Sequence, residues 1–132
     1  MQVFSLSSDQ IEQGWPLVEP LLKVFETHCR EMTVQQIREA ALAARQQIFG
    51  LGDDNQVHGV AVTEIQELAR GKTCVIVIGC GMAGGHWHLL LERIRDWAKE
   101  IGCVAIRISG RKGWLRFDRR FREIGRVMEA PL

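Results

Sequence analysis

The sequence predicts a single α/β domain (α+β in detail) over residues 1–132, with a central mixed β-sheet flanked by helices. Three observations predict this fold. Residues 73–78 and 103–109 are apolar runs of strand length, residues 86–101 have the apolar spacing of an amphipathic helix, and short β-branched segments come before them. The order strand, helix, strand makes a βαβ unit at 73–109, so we expect its two strands to be parallel.

The first third of the chain predicts one strand and two helices. Residues 2–5 are expected to form the strand, and residues 9–13 a helical turn. The first helix should run from Pro16, which suits a first helical turn, to about Cys29, although Pro20 fits poorly inside it. Thr33 followed by Gln36 is the pattern of a capping box, and it predicts a second helix that extends to about residue 44.

The middle of the chain is rich in strand signals. Residues 47–52 and 57–65 predict the two arms of a hairpin, because the acidic and amide residues 53–55 favour a turn. Gly71 precedes the strand at 73–78, and Gly102 ends the helix at 86–101. A short helix at 113–120 and a last strand at 123–130 complete the prediction.

Charge and composition exclude several classes of function. The net charge is +1, so nothing in the overall electrostatics favours nucleic acid or an anionic membrane as a partner. No apolar run approaches the ~18 residues that span a bilayer, and the N-terminus lacks a signal-peptide pattern. The four cysteines are widely spaced, which fits free thiols in a reducing cytosol better than disulfides.

The glycine-rich residues 79–86 are the most informative for function, because they lie between a predicted buried strand and a predicted helix. Glycines let a phosphate approach the backbone closely, and the first N–H groups of a helix attract an anion. The segment therefore predicts a site for a phosphate-bearing cofactor. Residues 79–84 match the G-x-G-x-x-G pattern of a dinucleotide-binding Rossmann unit.

Three features weigh against the Rossmann interpretation. In that fold the motif stands near the start of its domain, whereas more than half of this chain precedes it. The acidic residue expected at the end of the next strand is missing, since Ser109, Gly110 and Arg111 stand there. The distance from Gly84 to Gly102 is 18 residues, about two helical turns longer than this motif leaves.

A different family fits the order of elements better. Residues 90–103, with their double leucine, Trp-Ala pair and Gly-Cys ending, resemble the helix that follows the acetyl-CoA pyrophosphate loop in the GNAT acyltransferase superfamily. Residues 110–116 resemble a G-R-x-G-W-x-R segment of small phage-encoded GNAT-like proteins. The resemblance implies a GNAT-like fold and transfer of an acyl group from acetyl-CoA to an amine, in a bacterial or phage-infected cytoplasm.

The resemblance also implies roles for individual residues. Val77 and Ile78 would pair with the pantetheine arm, and Glu64 would be the base that deprotonates the amine. Five further residues would face the pyrophosphate: Gly79, Gly81, Gly84, Gly85 and His86. The chain departs from the family in two ways, because no Arg or Gln heads the loop and no tyrosine is available as a general acid.

These departures leave a second function open, in which the chain is an inactive GNAT-derived phage accessory protein that acts by binding a protein partner. A homodimer also stays open. Other interpretations also stay open for the candidate residues. Glu64 has the alternative of a solvated hairpin carboxylate beside Glu67. Cys80, His86 and His88 suggest a metal site or a cysteine nucleophile, although standard zinc spacing is missing. A basic run (Arg111, Lys112, Arg116, Arg119, Arg120, Arg122 and Arg126) suits the 3′-phosphate of CoA, an acidic partner, nucleic acid or plain solvent.

Overall fold

The computed structural model of the protein describes residues 1–27, 32–81, 84–108, 120–122, 124, 125, 130 and 131. These residues form a five-stranded sheet of order β1-β2-β3-β4-β5. The first four strands pair antiparallel in sequence, and β5 pairs parallel with β4. The predicted mixed sheet and parallel βαβ unit are therefore confirmed. The strands are β1 (Gln2–Leu6), β2 (Gln46–Gly52), β3 (Val57–Leu68), β4 (Gly71–Gly81) and β5 (Ala105–Ile108).

Three helices accompany the sheet in the described part of the chain: α1 (Ile11–Glu26), α2 (Val34–Leu42) and α3 (Trp87–Glu100). Short 3-10 turns at Ser8–Gln10 and Gly84–His86 lead into α1 and α3. The predicted capping box of α2 is confirmed, since the Thr33 hydroxyl accepts from the Gln36 N–H at 3.1 Å and the Gln36 amide oxygen accepts from the Thr33 N–H at 2.9 Å. No helix among the described residues is long and apolar enough to cross a membrane.

The start of α1 differs from the prediction. The helix begins at Ile11, so Pro16 and Pro20 both lie inside it rather than at its first turn. Each proline removes one N–H from the helix and leaves a carbonyl four residues earlier without its usual partner. The two prolines are four residues apart and both exposed, so they share one face of α1. The freed carbonyls belong to Glu12 and Pro16, which are both exposed, and the opposite face packs on the sheet.

The sheet has a hydrophobic core on each face. On one face, here called the α1 face, residues of α1 and α2 such as Trp15, Val18 and Ile37 pack on Ile48 and Val60. On the other, the α3 face, the apolar stripe of α3 packs on residues of β2, β3 and β4. The rings of Phe49 and Trp97 meet edge to face there, with their centres 5.4 Å apart. Each fully buried aliphatic side chain in these cores contributes about 1.5–3 kcal/mol.

Several predicted boundaries shift. β3 continues to Leu68 and β4 to Gly81, each three residues past the predicted end, while β5 begins at Ala105 rather than at residue 103. The predicted helix end at Cys29, nearly all of the short helix at 113–120 and most of the last strand at 123–130 lie outside the described residues.

Candidate functional site

β4 carries a β-bulge at Val77. The pairing with β3 passes from Ile76 directly to Ile78, so Val77 has no partner on β3. Before the bulge, Cys74 and Ile76 pack on the α3 face, whereas Ile78 and Cys80 pack on the α1 face. An uninterrupted strand would keep these alternate residues on one face, because side chains alternate with a period of two. After the bulge, the side chains of the last residues of β4 therefore lie on the opposite face from the one that strand alternation would give them.

The bulge coincides with the end of the β4–β5 pairing. β5 pairs with β4 only from Thr73 to Ile76, yet β4 continues to Gly81. Among the described residues no strand pairs with the β5 side of residues 77–81. The main-chain N–H and C=O groups on that side can thus bond to a ligand, since each must find a partner. Val77 and Ile78, the residues predicted to pair with pantetheine, both lie on this open edge.

The fold itself requires a glycine at position 81. Its φ is +109°, and a Cβ at this position would lie 2.3 Å from the His58 carbonyl oxygen and 2.9 Å from the Gly59 Cα. The predicted glycine turn also begins later than expected, because residues 79–81 pair with residues 59–61 as part of β4. The small residues let β3 and β4 approach closely up to the end of the sheet.

Gly79 and Gly85 have open space around them. A Cβ on Gly79 would meet only the Trp87 ring, at 3.9 Å, and a Cβ on Gly85 would meet nothing within 4 Å. Trp87 is half-buried in the first turn of α3, so its ring reaches over β4 at Gly79. Both glycines are exposed, and both precede α3 in the chain.

The start of α3 has the features of an anion site. His86 is the N-cap residue but makes no side-chain cap bond, and the first turn holds no acidic residue. The first backbone N–H groups of the helix have no partner within it, and the helix dipole favours negative charge there. His88 Nδ1 donates to the Gly85 carbonyl oxygen at 2.7 Å. The Nε2 atom of His88 takes no part in this hydrogen bond. Of the five residues predicted to face a pyrophosphate, Gly84, Gly85 and His86 lie at this helix start.

Glu64 lies inside β3 and is half-buried, whereas Glu67 is exposed. Within the described residues its carboxylate makes no hydrogen bond or ion pair. Glu64 pairs with Val75 of β4 and, by strand alternation, its side chain belongs to the α1 face. Val75 precedes the bulge by two residues, roughly 7 Å along the strand. The predicted base is therefore one strand in from the open edge of β4, on the face where α1 and α2 pack.

Cys80 lies in β4, not in a turn as the sequence predicts, and it packs against the core of the α1 face. Burial raises the pKa of its thiol to about 11, so the group is a protonated thiol at neutral pH. A thiol in this state is a poor nucleophile. In the described part of the chain no three His, Cys, Asp or Glu side chains come together to hold a metal ion.

Comparisons with solved structures identify the fold. The tetramutant of the BH1408 protein from Bacillus halodurans matches with a TM-score of 0.71 and 19% identity, covering 100% of both chains. A predicted acetyltransferase with acetyl-CoA from Clostridium acetobutylicum matches with a TM-score of 0.68 and 12% identity, covering 98% of this chain and 95% of that one. An aminoglycoside acetyltransferase from an uncultured soil metagenomic sample has a TM-score of 0.69 and 11% identity, covering 99% and 93%. The chain has a GNAT-like fold.

No family model matches the sequence, and no curated protein matches it. The GNAT-like fold nevertheless decides against the Rossmann interpretation. Its first four strands are antiparallel, whereas a Rossmann sheet is mostly parallel with the glycine motif after its first strand. The G-x-G-x-x-G match at residues 79–84 instead arises from the end of β4 in the GNAT-like sheet, where Gly79 and Gly81 are strand residues.

A side-chain cluster that the sequence did not predict lies beside this site, at the turn between β2 and β3. His58 Nε2 donates to Asp53 Oδ2 at 2.8 Å, and Asp53 Oδ1 accepts from the backbone N–H groups of Asn55 and Gln56 at 2.8 and 3.0 Å. His58 also presents its carbonyl to Gly81. The cluster therefore fixes the turn next to the end of β4. The acidic turn was predicted, but no spacing pattern links it to His58.

This cluster predicts acid sensitivity. The hydrogen bond from His58, together with the two N–H groups, lowers the pKa of Asp53 from 3.8 to about 2. A carboxyl whose pKa is lower in the folded state stabilises the fold above its unfolded pKa and loses that contribution as pH falls from about 4 to about 2. We expect Asp53→Asn to flatten the decline in melting temperature over this interval, measured by circular dichroism. Asp54→Asn at the exposed neighbour is the control, and an equal effect there would contradict the assignment.

Proposed function

We propose that the protein is an acyl-CoA-dependent N-acyltransferase. One observation carries the proposal: among the described residues no strand pairs with the β5 side of β4 at residues 77–81, and this stretch of β4 precedes the N-terminus of α3. An extended chain of amides ending in phosphates matches this order, because amides pair with a strand edge and phosphates bind at a helix start. The pantetheine and pyrophosphate of CoA have that composition.

The residues at the site fit CoA. Val77 and Ile78 would pair with pantetheine, and Gly79 leaves room between β4 and Trp87 that a larger side chain would fill. Gly81 would let β4 stay closely paired with β3 up to the start of the loop. Gly84, Gly85 and His86 would hold the pyrophosphate with backbone N–H groups. When bound, acetyl-CoA supplies an acetyl group activated as a thioester.

Glu64 supplies the base in this proposal. An amine is protonated near neutral pH and has to lose a proton before it can attack a carbonyl. The half-buried Glu64 carboxylate has no ion-pair partner in the described residues, so it is available to accept that proton directly or through water. The acceptor is an unknown amine. Because one protein of similar fold is an aminoglycoside acetyltransferase, the first acceptors to test include an aminoglycoside beside simple amines and peptides.

Binding of CoA is tested by a pair of substitutions at Gly85. A Cβ at this position would meet nothing within 4 Å, so both variants should fold. Gly85→Asp places a carboxylate at the helix start and should weaken acetyl-CoA binding by about tenfold or more through repulsion of the pyrophosphate. Gly85→Ala should bind within about twofold of the unsubstituted protein. Isothermal titration measures both, with NADH as a second ligand.

The titration has two outcomes that would reject the proposed site. Equal affinities of the two Gly85 variants for acetyl-CoA would show that the pyrophosphate does not bind at the start of α3. Binding of NADH without any response to acetyl-CoA would reject the cofactor itself.

The alternative is a GNAT-derived accessory protein, encoded by a phage, that has kept the fold without the chemistry. The specific observation in its favour is the absence of tyrosine from the whole sequence, because the family resemblance implies a tyrosine as general acid. In this case the chain would act through a protein partner or as a homodimer.

A further inference from the structure

A cleft lies along β5, beside the C-terminal half of α3. Its volume is about 510 Å³, within the range of roughly 300–1,000 Å³ that ligand sites occupy. Its lining includes Arg70 of the β3–β4 turn, Ile108 of β5 and Phe121. Arg95 and Lys99, from α3, are eight and twelve residues after Trp87, or about 12 and 18 Å along the helix. These cations are therefore remote from the helix start that carries the proposed acyltransferase site.

The lining of this cleft is strongly cationic. Among the described residues, six basic ones line it and no acidic one does. Arg120 is ion-paired with Glu92. The other five make no ion pair within the described part of the chain: Arg70, Arg95, Lys99, Arg107 and Arg122. A protein of net charge +1 thus concentrates positive charge in one cleft, where arginine forks match carboxylate or phosphate oxygens.

The rest of the lining is aliphatic. Ala98, Ala105, Ile106 and Ile108 form part of the wall, and Val104 at the rim is 64% exposed. Phe121 is the single aromatic residue among the described lining residues, and it is packed against the core of the α3 face. Sites for single-stranded nucleic acids combine a basic groove with exposed aromatic rings on which bases stack. Aliphatic walls instead suit the short apolar side chains of a peptide.

We propose that this cleft binds an acidic peptide segment of a partner protein, in which carboxylates alternate with aliphatic side chains. The carboxylates pair with the arginines and Lys99, and the aliphatic side chains cover Val104 and the neighbouring alanines. β5 is four residues long, about 13 Å, so about four extended residues run along it and a hexapeptide extends past it by about one residue at each end. This binding is independent of the acyltransferase proposal, because it uses none of the same residues.

The test is fluorescence anisotropy with a labelled hexapeptide that alternates glutamate and valine. We expect it to bind the full-length protein, with an affinity that falls as salt is raised. Arg95→Glu and, separately, Arg70→Glu at the exposed turn should each weaken binding by roughly tenfold, since each reverses a charge that faces the ligand. Arg93→Glu is the matched control: it is on the same helix, makes the same change of charge, is exposed and does not line the cleft.

Three results would overturn the proposal. The first is an equal loss of affinity in Arg93→Glu, which would reduce the effect to net charge. The second is equal binding of a glutamine–valine hexapeptide, which would remove the role of the cations. The third is tighter binding of a single-stranded oligothymidine of equal charge, which would assign the cleft to nucleic acid. Circular dichroism melts of all variants confirm that they are folded, and Arg70→Glu keeps the test decisive if Arg95→Glu unfolds.

Discussion

Replacement of Gly81 by alanine is expected to lower the free energy of unfolding by about 3–5 kcal/mol, which is severe for a single methyl group. Two costs add at this position. The backbone has φ of +109°, where residues with a Cβ are strained, and the new methyl group would meet the His58 carbonyl oxygen at 2.3 Å. A backbone oxygen held in a β-ladder cannot move aside as a flexible side chain can. The expected fall in melting temperature is about 10 °C or more.

Two other glycines separate these costs. Gly102 has φ of +89° with nothing within 4 Å of its Cβ position, so Gly102→Ala carries the conformational strain without the clash. Gly85→Ala carries neither cost. Thermal and urea unfolding should therefore rank the variants Gly81→Ala, Gly102→Ala and Gly85→Ala from least to most stable. If the Gly81→Ala variant is no less stable than the Gly102→Ala variant, the inference that β3 and β4 approach closely at Gly81 is contradicted.

The ranking has a consequence for the candidate site. The glycines of residues 79–86 look alike in the sequence, but the structure gives them different tasks. Gly81 ends the sheet against β3, Gly79 leaves space beneath Trp87, and Gly85 lies exposed before α3. Loss of ligand binding in a Gly81 variant would report on folding, whereas loss in a Gly85 variant would report on the site itself.

Much of the fold follows from local sequence patterns. The apolar stripe of α3 and its end near Gly102 are close to the prediction, because a 3.6-residue period over four turns has no strand alternative. The capping box at Thr33 is also local, since both of its hydrogen bonds join residues three apart. The parallel β4–β5 pair follows from chain order alone.

The features that shape the site are not local. Residues 74–78 are apolar at every position, so no alternation in the sequence reveals that Val77 is a bulge. The extension of β4 through Gly79 depends on its pairing with β3. The acid-sensitive cluster likewise depends on the contact between His58 and Asp53 across a turn. The prolines of α1 are tolerated because both face solvent, a property of helix packing that proline spacing by itself does not fix.

The proposed acyltransferase needs a proton donor for its leaving group, whereas the alternative accessory protein does not. When an amine attacks a thioester, the departing thiolate leaves more easily if a group nearby gives it a proton. With no tyrosine in the chain, the remaining donors are thiols, imidazoles and water. The structure adds Cys80 to the α1 face with its pKa raised to about 11, so this thiol carries a proton at neutral pH. Transfer should still be slower than in enzymes with a tyrosine acid, because a thiol is a weak hydrogen-bond donor.

Glu64→Gln is expected to slow acetyl transfer by about 10²–10⁴-fold, the range in which a general base contributes, with little change in acetyl-CoA affinity. The substitution keeps the shape of the side chain and removes its ability to accept a proton from the amine. Single-turnover transfer on protein saturated with acetyl-CoA isolates this step from binding, and a panel of amines supplies the acceptor.

Glu67→Gln provides the matched control, because Glu67 is on the same strand, exposed and three residues further on, so alternation directs it to the other face. Transfer that survives Glu64→Gln unchanged would remove Glu64 from the mechanism and leave the transferase in place. If the unsubstituted protein binds acetyl-CoA but acetylates no amine, the GNAT-like fold has lost its chemistry. The half-buried carboxylate of Glu64 would then be a remnant of the reaction, and the protein would act through its partners.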